Sequence, residues 1–237
     1  GPFTGGLVPV DATTGASATS FGIVDGDVHV VISDGAGGWY VGGSGRIDTM
    51  YWCNLPVAFV RHILPDRSLD PSVQVNGALY TDVTDLVLWQ DQLIIAGQVD
   101  TLNGLPFENL VRMDTATAAL SQFPSNPNGI IQDLEVVGDV LYMAGQFSML
   151  GGQTRTSLGA IDLTDGSVHP WQPVVEGAAQ CLAASGDTMH IAGGFISGGG
   201  MEMVFMLTAD LNAGDTAVHP VQPNNEVHVL KVVGDTL

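Results

Sequence analysis

Apolar residues along this chain come in short runs closed by glycine and by turn residues, and the runs return on a regular beat. WYVGG ends at Gly43, LIIAG at Gly97, LYMAG at Gly145 and MHIAG at Gly193, at intervals of 54, 48 and 48 residues. Asp114, Asp162 and Asp210, in VRMD, GAID and LTAD, keep the 48-residue interval. So do QDLEVVGD (132–139), QCLAASGD (180–187) and HVLKVVGD (228–235), with TDLVLWQD (84–91) in the same slot one repeat earlier. Recurrence at several independent positions predicts tandem repeats of about 40–50 residues, the length of propeller blades. The repeats run roughly over 1–42, 43–96, 97–144, 145–192 and 193–237.

Each repeat reads as four short strands. The first is of the DLEVVGD type and turns at Gly-Asp, and the second is of the VLYMAGQF type. A loop with GG or NG leads to the third, SLGAIDL, which turns at Thr164-Asp165-Gly166. The fourth is of the SVHPWQP type, and its proline marks an outer edge strand because proline cannot donate to a ladder. Short strands with turn signals every 8–12 residues predict an all-β fold, and no run keeps a helical period over ten residues. Runs such as Leu93, Ile94 and Ile95 are apolar on both faces, which suits sheets packed face to face better than a two-layer sandwich.

The stretch LYMAGQFSMLGGQTR (141–155) also invites a phosphate-loop reading. A Walker loop has four residues between its glycines and then a lysine. Here Gly145 and Gly151 stand too far apart and Gly152 takes the lysine position, so these are architectural glycines.

With these residues in view, the chain resembles the delta-60 type repeats of bacterial surface propellers. The resemblance rests on apolar–Tyr–apolar–(Gly/Ala)–Gly–x–Phe, then G-G-Q-x-R, apolar–Asp–x–x–x–Gly and (Trp)–x–Pro. Residues 141–173 carry it best, with VPVDATTGA (8–16) and DRSLDPS (66–72) as further matches, while 17–36 and 46–58 fit poorly. It implies a β-propeller of about five four-stranded blades, closed or part of a larger propeller, in an extracellular or cell-surface protein. A Gly-His/Trp-Asp signature and a sialidase box are both missing.

Composition narrows the partners. Six basic residues stand against 25 acidic ones, a net charge of −19, and Lys231 is the only lysine. Binding to nucleic acid or to an anionic membrane needs clustered cations, so neither is expected. No run of 18 apolar residues offers a membrane span. Cys53 and Cys181 fall in distant parts of the repeat and are expected to be free.

Candidate chemistry is sparse. No H-E-x-x-H or G-x-S-x-G occurs, and the six histidines show no close metal-ligand spacing. His169 and His219 precede proline in equivalent places, where the second repeat has Asp70-Pro71, and recurrence of that kind points to a structural role. Asp85 and Asp133 share a slot on consecutive first strands, followed there by Cys181 and Val229. Two such carboxylates could hold a hard cation such as calcium, or could cap turns. The segment RIDTMYWCNLPV (46–57) lengthens the second repeat, and Tyr51 and Trp52 make it a candidate aromatic platform for a sugar or a protein. The expected function is a non-catalytic scaffold or protein-interaction module, with no cofactor. The alternatives are a carbohydrate-binding, lectin-like propeller and an enzyme whose site is completed by a longer parent chain.

Overall fold

In a computed structural model of the protein, residues 6–8, 10–17, 24–48, 54–196, 203–225 and 227–232 are described. Every regular element among them is a β-strand, and the sheets are antiparallel. The chain divides into two compact units, Gly1–Ser121 and Gln122–Leu237.

The first unit holds two sheets. One is built from β1 (Asp27–Ser33), β2 (Trp39–Asp48), β3 (Asn54–Ile63) and β4 (Leu69–Leu79) in sequence order. The other runs β10-β9-β6-β5, with β5 (Asp82–Trp89), β6 (Gln92–Gln98), β9 (Leu110–Asp114) and β10 (Leu120–Gln122). Between β6 and β9 lies a small hairpin, β7 (Thr101–Leu102) and β8 (Leu105–Pro106), which pairs back onto β4 at Gly77 and Leu102. The two sheets bury Tyr40, Val60, Val73 and Val75 of one against Val83, Leu86, Leu93 and Ile95 of the other. Strands covered on both sides need apolar residues on both faces, which accounts for the unbroken Leu93–Ile95 run.

The second unit repeats the plan. Its first sheet is β11 (Ile130–Val137), β12 (Val140–Gln146) and β15 (Leu158–Asp162), with a hairpin of β13 (Met149–Leu150) and β14 (Gln153–Thr154) interposed. Its second sheet is β16 (Gly177–Ser185), β17 (Thr188–Ile196), β18 (Met203–Asp210) and β19 (Thr216–Val218). Tyr142, Leu158, Ala160 and Trp171 pack against Leu182, Met189, Leu207 and Leu211. Both inserted hairpins turn on two left-handed residues, Asn103-Gly104 (φ 50° and 79°) and Gly151-Gly152 (φ 54° and 78°). Two-residue turns of that hand match the strand twist. The GG and NG loops of the sequence are therefore hairpins in their own right.

The repeat glycines have a common cause. In the four described first strands the register slips by one residue at the same place, so that the Cα pairing with the second strand skips His29, Thr84, Gln132 and Gln180. Opposite each bulge sits Gly43, Gly97, Gly145 or Gly193. A Cβ at these four positions would stand 2.1, 2.1, 2.2 and 2.0 Å from the carbonyl oxygens of Asp27, Asp82, Ile130 and Ala178. Only hydrogen fits there, because the bulge drives a backbone carbonyl into the space a side chain would take.

Two expectations change. The fourth strand is a full element only in β4; elsewhere it is three residues in β10 and β19, or a single bridge between Ile161 and Val168. Proline ends the pairing early in those repeats. Of the lengthening segment 46–57, the described flanks 46–48 and 54–57 continue β2 and β3, paired without a slip from Trp39↔Ile63 out to Asp48↔Asn54.

Gly145→Ala is expected to lower stability by about 1–3 kcal/mol, the range for forcing atoms into filled space. Gly45→Ala, whose Cβ would meet nothing closer than 3.7 Å, should be neutral or gain up to about 1 kcal/mol from the loss of glycine's freedom. Urea midpoints at unchanged slope check both.

Candidate functional site

The two predicted carboxylates fall one in each unit. Asp85 lies on β5 in the first unit, and its Oδ1 accepts the N–H of Leu86 at 2.8 Å. Asp133 lies on β11 in the second unit, where its Oδ2 accepts the Leu182 N–H of β16 at 2.6 Å. Two residues on, Glu135 accepts the Ala184 N–H at 3.3 Å, and burial with the nearby Asp133 charge pushes its carboxyl above the usual range. Asp133 and Glu135 thus tie two first strands together across sheets. Cys181 follows the bulge of β16, is free and buried, and donates to the Val227 carbonyl at 3.4 Å. Burial, then the Asp133 charge, push its thiol to about 12, which makes it unreactive. Tyr51, Trp52 and Cys53 lie outside the described residues.

Recurring polar residues are absorbed by the backbone. Asp11, Asp114, Asp162 and Asp210 each accept N–H bonds from residues two or three further on, and the last three so close the turns after β9, β15 and β18. His169 Nδ1 accepts the Trp171 N–H at 3.3 Å, His219 Nδ1 the Val221 N–H at 3.1 Å, and Asp70 Oδ1 the Ser72 N–H at 2.8 Å. All three cap the residue after a proline, as their recurrence predicts. Trp171 is fully buried, meets Tyr142 edge to face at 4.9 Å, and donates its ring N–H to the Asp210 carbonyl at 3.0 Å. It links the loop between β15 and β16 to the turn after β18.

Two clusters depart from the repeat. In the first, His62 on β3 stacks on Tyr40 at 4.4 Å and lies between two carboxylates. Its Nδ1 is 2.9 Å from Asp70 Oδ2 and its Nε2 is 3.1 Å from Asp34 Oδ2. Carboxylates only accept, so both contacts are satisfied when the ring carries two protons. Burial opposes the charge on Asp34, but the N–H groups of Ala36 and Gly38, with His62, hold its carboxyl below the ordinary value. Asp70 is held down first by the Ser72 hydroxyl and then by His62.

The second cluster lies at the bulge of β1. His29 Nδ1 stands 3.2 Å from the Val83 carbonyl and 2.9 Å from Asp82 Oδ1. The shorter approach lacks hydrogen-bond alignment, so that buried oxygen has no hydrogen-bond partner and the proton points to the carbonyl. Desolvation raises the Asp82 carboxyl against the pull of His29 and Ser44. A carbonyl acceptor at Nδ1 places the lone pair of the neutral ring on Nε2, on a side chain that keeps about a third of its surface exposed. Sequence reasoning missed this couple. The signal was present in the slot shared by His29 with Thr84, Gln132 and Gln180, but the bulge hides the alignment.

No protein-family model matches the sequence, and no curated protein matches it. Among solved structures, the chain is similar to a puromycin hydrolase at a TM-score of 0.50 and 14% identity, over 81% of this chain. It spans 29% of that protein's length, and at such identity the likeness concerns the fold alone. It is also similar to the computationally designed Ika8 protein, at a TM-score of 0.40 and 11% identity, over 91% of this chain and 81% of that one.

Acid should loosen the turns. The Thr14, Thr117 and Thr164 N–H and hydroxyl groups hold the Asp11, Asp114 and Asp162 carboxyls below their usual value. A folded value below the unfolded one, about 3.9, gives stability that is complete above that pH and lost as pH falls through the folded values. The urea midpoint is expected to hold from about pH 7 to 5 and then fall, and to fall less steeply for Asp114→Asn with Asp162→Asn.

Proposed function

We propose that the chain is a single β-propeller domain over 1–237, with about five four-stranded blades, that serves as an extracellular or cell-surface scaffold and protein-interaction module without catalysis or cofactor. One observation carries the reading. The polar residues that recur from repeat to repeat, Asp133, Asp162, His169 and their equivalents, bond the chain's own backbone. The repeated framework is thereby committed to holding itself, and what differs between repeats is left to make contacts. The arm formed by β2 and β3, which leads to Tyr51 and Trp52, is the first of these differences. A net charge of −19 suits a soluble surface protein and a partner other than nucleic acid.

A second reading has the His29–Asp82 couple behind it. An imidazole oriented at Nδ1 with Nε2 available has the form of a general base, which a longer chain would complete. Hydrolysis of simple ester and glycoside substrates by the purified protein, lost in His29→Gln, would support it.

A glycan and polysaccharide array, run with calcium and again with chelator, tests the main proposal. The expected result is silence in both buffers. Selective binding removed by Trp52→Ala would replace the scaffold with a lectin-like module, and chelator sensitivity would bring in a bound cation.

A further inference from the structure

Positions that break the repeat mark a second candidate, on the sheet of β16 to β19. Three residues before each repeat glycine the chain has Tyr40, Ile94 and Tyr142, and then His190. Two residues after the histidine of the His-Pro pair it has Trp171 in one repeat and Val221 in the next. In the earlier repeat the slot is closed, with Tyr142 and Trp171 buried and Tyr142 only 6.4 Å from His169. In the later one Val221 is 67% exposed, and an imidazole takes the place of the phenol. Both substitutions turn a sealed aromatic slot into an open one that carries nitrogen.

The two imidazoles there meet. His190 and His219 lie with ring centroids 5.5 Å apart and planes inclined at 66°. His190 is on β17 opposite Thr208, while the His219 N–H bonds the Met206 carbonyl, so the rings approach over the same face of β18. An imidazole nitrogen binds a first-row transition ion at about 2.0–2.1 Å, which sets the centroids of two rings on one tetrahedral ion about 5 Å apart. The observed separation is close to that value. We propose that His190 and His219 form a two-histidine clip for a divalent transition-metal ion of the zinc, nickel or copper class.

Two further observations fit. His190 Nδ1 is buried without a hydrogen-bond partner, a condition that native structures seldom leave uncompensated. His219 Nδ1 also lies 2.9 Å from the Val221 carbonyl; in the metal-bound tautomer it donates there instead of accepting the Val221 N–H, which leaves Nε2 to the ion, the arrangement that orients histidine ligands to metals. Among the described residues no group of three or more His, Cys, Asp or Glu gathers for a metal, so water completes the shell. Calcium, which takes oxygen ligands, is not the ion that this pair selects.

The test uses the full chain with zinc, nickel or copper chloride alone, followed by titration calorimetry and by histidine ring resonances in NMR. One ion per chain is expected, with copper broadening confined to the rings of His190 and His219. His190→Tyr restores the residue found in the other repeats, and His219→Asn keeps an acceptor for the Val221 N–H, so both should fold. Each is expected to weaken binding more than roughly tenfold, while His228→Gln leaves it unchanged. Absence of binding by the wild type, broadening centred on other histidines, or binding that survives His190→Tyr would overturn the proposal.

Discussion

Each of the four described first strands, β1, β5, β11 and β16, has one residue more than its neighbour can pair. The structure depends on how that surplus is accommodated. At His29, Thr84, Gln132 and Gln180 the chain buckles, and the carbonyl of an earlier residue moves to within about 2 Å of where a Cβ would stand on the second strand. Glycine on that strand is the only residue that lets the pair stay hydrogen-bonded on both sides of the bulge. A bulge sharpens the local twist and re-aims the side chains that follow it. In β11 the residue after the bulge is Asp133, and it reaches the backbone of β16. The same small defect therefore shapes each sheet and, in the second unit, connects one sheet to the next.

The acidic composition follows from a second economy. Many of the aspartates bond the N–H groups of their own turns, where peptide dipoles take the part that cations play elsewhere. A chain with 25 acidic and six basic residues can then place carboxylates at each turn without a matching set of lysines. The histidines complete the account, since His169 and His219 cap turns that Asp70 caps in another repeat.

Elements that answer to a local backbone requirement were legible in the sequence. The 48-residue beat of glycine and aspartate marks bulges and turns, each with one chemical solution, and the strands from β1 to β18 follow from it, whereas the described part of HVLKVVGD, 228–232, forms no strand. The fourth strand was overread, because His169-Pro170 and His219-Pro220 keep an apolar look while giving up the ladder. The 46–57 segment was underread, since RIDTMYWCNLPV has no clean alternation, yet its ends extend β2 and β3 in register. Site geometry was the least legible. His62 meets Asp34 and Asp70 from 28 and 8 residues away, and His29 meets Asp82 across two sheets. Such meetings depend on register, which a bulge shifts by one residue and so conceals.

The carboxylates of Asp133 and Glu135 bear on a hazard peculiar to repetitive chains. β16 is the terminal strand of its sheet, and the Leu182 and Ala184 N–H groups lie on its open side. Unpaired donors on an edge recruit other strands, and in this chain near-copies of the correct neighbour occur every 48 residues. An acceptor supplied by a side chain satisfies those donors without offering a further edge, so a misplaced copy finds no ladder to join. During synthesis, when like strands emerge one after another, this would favour correct assembly over swapped and aggregated chains.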